Sequence, residues 1–206
     1  MNSVHWDDVA YKCKTDKSSR YRHLNLDYDV PAHGYADYYE TRLSGQPVLS
    51  VLEIGVLRGD SLRFWEEVFP QAQILGLDIN PDCAQYAAGR ISVLTMDAGD
   101  PRQLQKFIGE SLMFDFIVDD GSHNEKDITN ALVSLWGKLN PGGLYAIEDT
   151  ACKNYRYPGL WTTWMADLRD WVSYVGGTMS AHPARPHKDL PGGMAVYFID
   201  KALVHS

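Results

Sequence analysis

The sequence predicts an α/β protein built on a doubly wound, mostly parallel seven-stranded sheet with helices at its N-terminus. Three observations predict it. From residue 48 onward, short runs rich in Val, Ile and Leu alternate with longer segments of helical character, the pattern of strands covered on both faces by crossover helices. The first five runs each carry a carboxylate in their last two positions. The last two runs are separated by a Pro- and Gly-rich stretch that suits a hairpin-like end rather than another crossover.

Each element follows in order. The first 45 residues read as two amphipathic helices separated by the polar loop CKTDKSSRYRHLNLDYD at 13–29. The strand runs are VLSVLEI (48–54), QILGLDI (73–79), ISVLTMD (91–97), FDFIVDD (114–120) and GLYAIED (143–149). Between them SLRFWEEVF, PDCAQYAAG, PRQLQKFIG and NEKDITNALVSLWGKL carry an early Pro, an acid in the first turn or spaced apolar residues, and each is expected to be a crossover helix. A helix is expected at 160–175, dense in Trp161, Trp164 and Trp171, then strands near 178–181 and 194–199 joined by HPARPHKDLPGG. Neither internal repeats nor low-complexity tracts interrupt the pattern.

With 206 residues, 45% hydrophobic and 22% charged, the chain is expected to form a single domain around one sizeable core, residues 1–45 acting as a helical cap or lid on a core of 46–206. A net charge of −8 and a pI near 5.3 supply no general basic field for a nucleic-acid backbone or an anionic membrane surface. Cys13, Cys83 and Cys152 are widely spaced, form no CxxC pair and read as reduced thiols. With no leader pattern and no apolar run of spanning length, a soluble cytoplasmic protein is expected.

In a doubly wound sheet the carboxyl ends of the parallel strands open onto one ligand-binding crevice. The acids delivered there are Glu53, Asp78, Asp97, Asp119 with Asp120, and Glu148 with Asp149. Seven carboxylates on one edge would repel one another, so something positive or hydroxyl-rich is expected among them. A nucleoside ribose would supply hydroxyls to Asp78, one βαβ unit after Glu53. In the turn EIGVLRGDS at 53–61, Gly55 permits close approach of a ligand to the backbone and the following helix N-terminus offers N–H groups to an anion. The same turn also reads as a tight strand-to-helix connection without a ligand. IVDDGSH at 117–123 has a similar plain reading, an Asp-Gly turn with Ser122 or Asp120 capping a helix.

The order E-x-G-x-x-x-G from Glu53, then Asp78, Asp97, DDGSH and IED, resembles the class I S-adenosylmethionine-dependent methyltransferases, whose sheet is Rossmann-like. More narrowly it resembles the Mg-dependent sugar O-methyltransferases of macrolide biosynthesis and, in its small size, the methylmannose polysaccharide 1-O-methyltransferases. The resemblance covers residues 48–150 well, and the TDK (15–17) and HGY (33–35) segments more faintly. It implies S-adenosyl-L-methionine and Mg²⁺ as cofactors, with Asp120, Glu148 and Asp149 as metal ligands and His123 as general base. It also places Glu53, Gly55, Ser61, Asp78, Asp97 and Asp119 on the S-adenosylmethionine. The larger macrolide enzymes carry an added N-terminal domain not found in this sequence, so assembly and acceptor selection are expected to differ.

Methyl transfer from a sulfonium is an in-line displacement that requires a positioned, nucleophilic oxygen. A carboxylate-held metal lowers the pKa of a sugar hydroxyl and orients it, and an oxygen-only ligand set suits Mg²⁺. A histidine three residues past Asp120 is within reach of the released proton and ordinarily titrates near neutral pH. On this reading Gly121 permits the turn and Ser122 caps the helix, and the plainer alternative for His123 is a helix-capping role.

Lys17, Arg20, Arg22 and His23 read either as a basic loop closing over the crevice or as a solvated surface loop. Tyr155, Tyr157 and Trp161 are candidates for stacking on sugar faces, Trp164 and Trp171 for the core, and His182 and His187 for acceptor contact. The expected partner is a small-molecule or oligosaccharide acceptor, with neither nucleic acid nor membrane, and a homodimer or higher homo-oligomer is left open. Rival readings are a dinucleotide oxidoreductase, which explains Asp78 but not the metal trio, a catechol-type phenol O-methyltransferase, and a non-catalytic cofactor-binding module.

Overall fold

The computed structural model describes residues 4–22, 32–109, 111–150, 158–183 and 195–203, with side chains at all of these but 108, 158–162 and 183. The strands are β1 (Ser50–Ile54), β2 (Gln73–Asp78), β3 (Ile91–Thr95), β4 (Phe114–Asp119), β5 (Leu139–Ile147), β6 (Gly177–Pro183) and β7 (Ala195–Lys201). The helices are α1 (Trp6–Cys13), α2 (Ala36–Leu43), α3 (Asp60–Val68), α4 (Pro101–Ile108), α5 (Glu125–Leu135) and α6 (Pro158–Tyr174), with 3₁₀ turns at Pro81–Tyr86 and Trp136–Lys138.

The strands form one sheet in the order β3-β2-β1-β4-β5-β7-β6. β1 to β5 are parallel, and the order reverses between β1 and β4, so a switch point opens there at the carboxyl edge. The sheet is mixed, because β7 runs antiparallel to both β5 and β6. The hairpin-like end expected from the sequence therefore inserts the last strand between the two before it.

The central strands are buried on both faces, which their unbroken Val/Ile/Leu character requires. The two-residue period of the strands sends Val51, Phe116, Val118, Ala146 and Phe198 to one core cluster and Leu52, Ile54, Ile117, Tyr145, Ile147 and Ile199 to the other. The first cluster also takes Trp6, Val9 and Ala10 of α1, Ala36, Tyr39 and Leu43 of α2, and Leu62, Phe64 and Trp65 of α3. The rings of Trp6 and Phe69 meet edge to face at 5.3 Å, and those of Tyr39 and Trp65 at 4.9 Å. Both N-terminal helices thus pack into the core of the sheet.

Two elements differ from the sequence reading. The segment PDCAQYAAG forms a 3₁₀ turn in place of an α-helix, with Cys83 N–H bonding Asn80 O and Ala87 N–H bonding Ala84 O. It leads to the edge strand β3, whose Ser92, Leu94 and Thr95 are exposed, so little apolar surface there needs a long helix to cover it. β5 begins at Leu139 and ends at Ile147, which leaves Glu148 and Asp149 on the loop beyond the strand. Trp164 and Trp171 pack partly buried against the second cluster, and Trp164 Nε1–H donates to Thr129 Oγ1 at 2.9 Å. Cys13 and Cys83 are free thiols, and Cys152 lies outside the described residues. Among the described residues no helix is long and apolar enough to cross a membrane.

Candidate functional site

Backbone hydrogen bonds carry the strand ladder past the strand ends and align the loops at the switch point. Gly55 N–H bonds Leu77 O, Asp120 N–H bonds Ile54 O, Glu148 N–H bonds Asp119 O and Met96 N–H bonds Asp78 O, all within 2.8–2.9 Å. Above this edge lies a cleft of about 540 Å³ whose lining includes Gly55, Ser61, Asp78, Asp97, Asp119, Asp120 and His123. Thr15 and Asp16 from the N-terminal loop complete its rim. Glu53, Glu148 and Asp149 are not among the lining residues.

The adjoining loops are tightly specified. Gly55 has φ +91, and a Cβ there would lie 2.2 Å from Asp120 O, so the glycine makes room for the neighbouring loop of its own chain. Asp78 Oδ2 accepts from Val56 N–H at 2.8 Å and from Leu57 N–H at 3.2 Å, holding the glycine turn against β2. Asp97 Oδ1 accepts from Gly99 N–H at 2.8 Å. Asn124 caps α5 through Lys126 N–H, so the cap lies two residues beyond Ser122. Ser122 instead donates to Asp127 Oδ2 and accepts from Asn124 N–H.

His123 and Asp149 both adopt left-handed backbone, with φ +52 and +54, a conformation costly for a side chain with a Cβ. These two turns aim their side chains inward. One donor atom each from Asp120, His123 and Asp149 lie within 4.8 Å of one another, a grouping able to hold a metal ion.

Glu148 faces a different partner. Its Oε1 accepts from Tyr39 Oη and its Oε2 from Lys17 Nζ at 2.9 Å. Lys17 also donates to Asp120 Oδ2 at 2.8 Å and lies 3.6 Å from Glu53 Oε1. Glu53 in turn accepts from Trp65 Nε1–H at 3.1 Å and from the Ser61 side chain. Tyr35 Oη donates to Asp149 Oδ1 at 2.8 Å, with His33 Nδ1 3.5 Å from the same oxygen.

Lys17 is fully buried, so it is not a solvated surface residue. Burial alone would lower its pKa, but the pull of Asp120, Glu148 and Glu53 holds it well above the ordinary lysine value. Burial opposes ionisation of Asp120, yet Lys17 keeps that carboxyl below its usual range. The other acids outnumber the cation. Burial, with the charges of Asp120 and Asp149, raises Glu148, and burial pushes Glu53 up to about 7 and Asp119 up to about 6. Asp149 is also raised, by burial first, despite His33.

The positive and hydroxyl-rich groups expected among the carboxylates are thus Lys17, Tyr35 and Tyr39 of the chain itself. They come from the TDK segment, the HGY segment and α2, which are joined by His33 N–H to Asp16 O, Gly34 N–H to Ser18 O and Ala36 N–H to Lys17 O. Of the basic loop, Arg20 turns away to Asp7 and Asp8. His23, Tyr155, Tyr157 and His187 lie outside the described residues, as does the side chain of Trp161. His182 packs against Tyr38 and Phe198, with ring centroids 5.1 and 5.0 Å away.

No family model matches the chain. It is 35% identical over 170 residues to demethylmacrocin O-methyltransferase of Streptomyces fradiae, a match covering 75% of this chain and 40% of that protein. It is 39% identical over 106 residues to mycinamicin VI 2''-O-methyltransferase of Micromonospora griseorubida, covering 48% and 26%. With a tetracenomycin-C rhamnosyl 2'-O-methyltransferase of Streptomyces olivaceus it shares 32% over 126 residues, covering 57% and 33%. The matches therefore span two-fifths or less of these relatives' own length. Among solved structures, the MycE methyltransferase from the mycinamycin biosynthetic pathway, in complex with Mg and SAH, superposes with a TM-score of 0.74 at 25% identity, covering 97% of this chain and 55% of that one. The chain has the class I methyltransferase fold, and in sequence it resembles O-methyltransferases named for demethylmacrocin, mycinamicin VI and a rhamnosyl tetracenomycin-C.

Proposed function

We propose that the protein is an S-adenosyl-L-methionine-dependent, Mg²⁺-dependent O-methyltransferase acting on a sugar hydroxyl of a small-molecule or oligosaccharide acceptor, in a single methyltransferase domain. The observation that carries this reading is the convergence of Asp120, His123 and Asp149 beside a cleft at the sheet's switch point. The likeness to enzymes named as O-methyltransferases of mycinamicin VI, demethylmacrocin and a rhamnosyl tetracenomycin-C, and to the MycE methyltransferase in complex with Mg and SAH, adds support.

The residues present fit a hard divalent cation. Buried carboxylates outnumber the ammonium among them, and their oxygens are the donors Mg²⁺ prefers. Asp120, Glu148 and Asp149 would hold it, with Asp120 and Asp149 already converging and Glu148 sharing Lys17 with Asp120. When bound, Mg²⁺ would supply Lewis-acid polarisation of the acceptor hydroxyl, and S-adenosylmethionine would supply the electrophilic methyl group. Asp78 and Asp97, both lining the cleft, would bind the ribose and adenine, with Gly55 and Ser61 beside the methionine end and Asp119 also on the cofactor side. Glu53 braces this end from behind through Ser61 and Trp65. His123, held on the cleft wall by its left-handed turn, takes the hydroxyl proton as the oxygen attacks.

The test is incubation of the purified chain with methyl-labelled S-adenosylmethionine, Mg²⁺ and a panel of glycosides, oligosaccharides and catechols. Label is expected on a sugar acceptor and not on a catechol, and EDTA is expected to abolish it. Transfer that persists after complete demetallation, or that occurs on the catechol alone, refutes the reading.

A further inference from the structure

Lys17 contacts two of the three carboxylates that would hold the cation, with Nζ 2.8 Å from Asp120 Oδ2 and 2.9 Å from Glu148 Oε2, and its side chain has no exposed surface. Its place is fixed from both sides. On one side Asp7 Oδ1 and Oδ2 accept from Ser19 N–H and Oγ–H, and Oδ2 from Arg20 Nε. On the other the backbone of His33, Gly34 and Ala36 bonds across the segment from Asp16 to Ser18. An ammonium is a compact point charge, and here it is delivered by a braced loop into the centre of the acidic cluster.

We propose that Lys17 is a positioning residue that serves as the resident counter-ion of this cluster, orienting Asp120 and Glu148 while holding down the affinity of the cluster for a divalent cation. The inference rests on the metal-dependent reading above. Its physical basis is competition between fixed charges. One ammonium and one divalent ion drawn to the same pair of carboxylates repel each other across a few ångströms of protein, where the effective dielectric constant is about 20 and screening is weak. A lysine that was only a structural brace would have the opposite signature, since its removal would loosen the donors and weaken metal binding.

The experiment is calorimetric titration of the full chain with Mn²⁺ and Mg²⁺, without S-adenosylmethionine, comparing wild type, Lys17→Met and Lys17→Arg. Lys17→Met keeps the apolar stem and removes the charge, and is expected to bind either ion at least about tenfold more tightly. Lys17→Arg keeps the positive charge and is expected to bind either ion no more tightly than wild type, and a gain equal to that of Lys17→Met would overturn the inference. In thermal melts Lys17→Met should lose stability in EDTA and regain it with Mn²⁺, which then supplies the missing positive charge. Equal or weaker binding by a Lys17→Met protein with native circular dichroism overturns the inference and leaves the metal-dependent reading standing. If Lys17→Met is unfolded in EDTA, refolding in Mn²⁺ is expected to recover it, and failure to do so also overturns the inference. Binding of a divalent ion by none of the three proteins refutes the metal-dependent reading itself, and the inference with it.

Discussion

Replacing Gly55 with Ala tests whether the glycine turn exists to let two loops of the site meet. The new Cβ would lie 2.2 Å from Asp120 O, 2.8 Å from Asp120 C and 3.0 Å from Gly121 Cα, so backbone has to move by about 1 Å to reach ordinary contact. Neither side yields easily, because Asp120 N–H is bonded to Ile54 O and the Asp120 carboxylate to Lys17. The φ of +91 adds the strain of a left-handed residue with a Cβ, about 1–2 kcal/mol, and forced overpacking adds about 1–3 kcal/mol, for a total of roughly 2–5 kcal/mol. Gly45→Ala is the internal control, since Gly45 has φ +78 but nothing within 4 Å of its would-be Cβ, so it carries only the first part of the cost. Urea denaturation of both variants reads the difference, and calorimetry with S-adenosylhomocysteine reads the displacement of Asp120 and the cleft wall. Gly55→Ala is expected to lose at least about 1 kcal/mol more than Gly45→Ala and to bind S-adenosylhomocysteine more weakly. Equal losses, with unchanged binding, would show that the approach of the two loops does not depend on Gly55.

Three further outcomes follow from the site. His123→Ala should lower kcat by about 10²–10⁴-fold while leaving the dissociation constant of S-adenosylhomocysteine within a few-fold of wild type, and unimpaired turnover would remove the base assignment. Tyr39→Phe deletes the hydroxyl that donates to the buried Glu148 and should cost about 1–3 kcal/mol in chemical denaturation, so a neutral result would mean the bond contributes nothing. Glu53, buried beside Lys17 and Trp65, is raised by burial to about 7 from an ordinary 4.5, so between those pH values the folded chain keeps a proton that the unfolded chain releases. The resulting stability is present below pH 4.5 and is lost as pH rises through about 7. It amounts to about 3 kcal/mol at most. Thermal melts in EDTA from pH 4.5 to 8 should show a steeper decline for wild type than for Glu53→Gln, and parallel curves would contradict the shift.

Much of the fold was legible because its signals are local. The runs VLSVLEI, FDFIVDD and GLYAIED announce strands buried on both faces, and the early prolines Pro81 and Pro101 mark where the connecting segments start. The carboxylate row was legible for the same reason, since parallel strands must end on one edge and each run carries its acid at that end. The 3₁₀ turn at Pro81–Tyr86 escaped the reading because the same Pro and Asp that open an α-helix also open a tighter turn, and the exposed edge strand beside it decides between them.

The residue types at the strand ends, the α/β architecture and the demand of seven acids for positive charge are all written in the order of the amino acids. What meets that demand, and which acids face one another, depends on the packed fold. Lys17 reaches Asp120 and Glu148 across 103 and 131 residues of chain, and Tyr39 reaches Glu148 across 109. The left-handed turns at His123 and Asp149, which bring those two side chains together with Asp120, lie in loops with no periodicity to read. Strand and helix periods are set by neighbours a few residues away, whereas the pairing of buried charge is set by which distant segments the packed core leaves side by side.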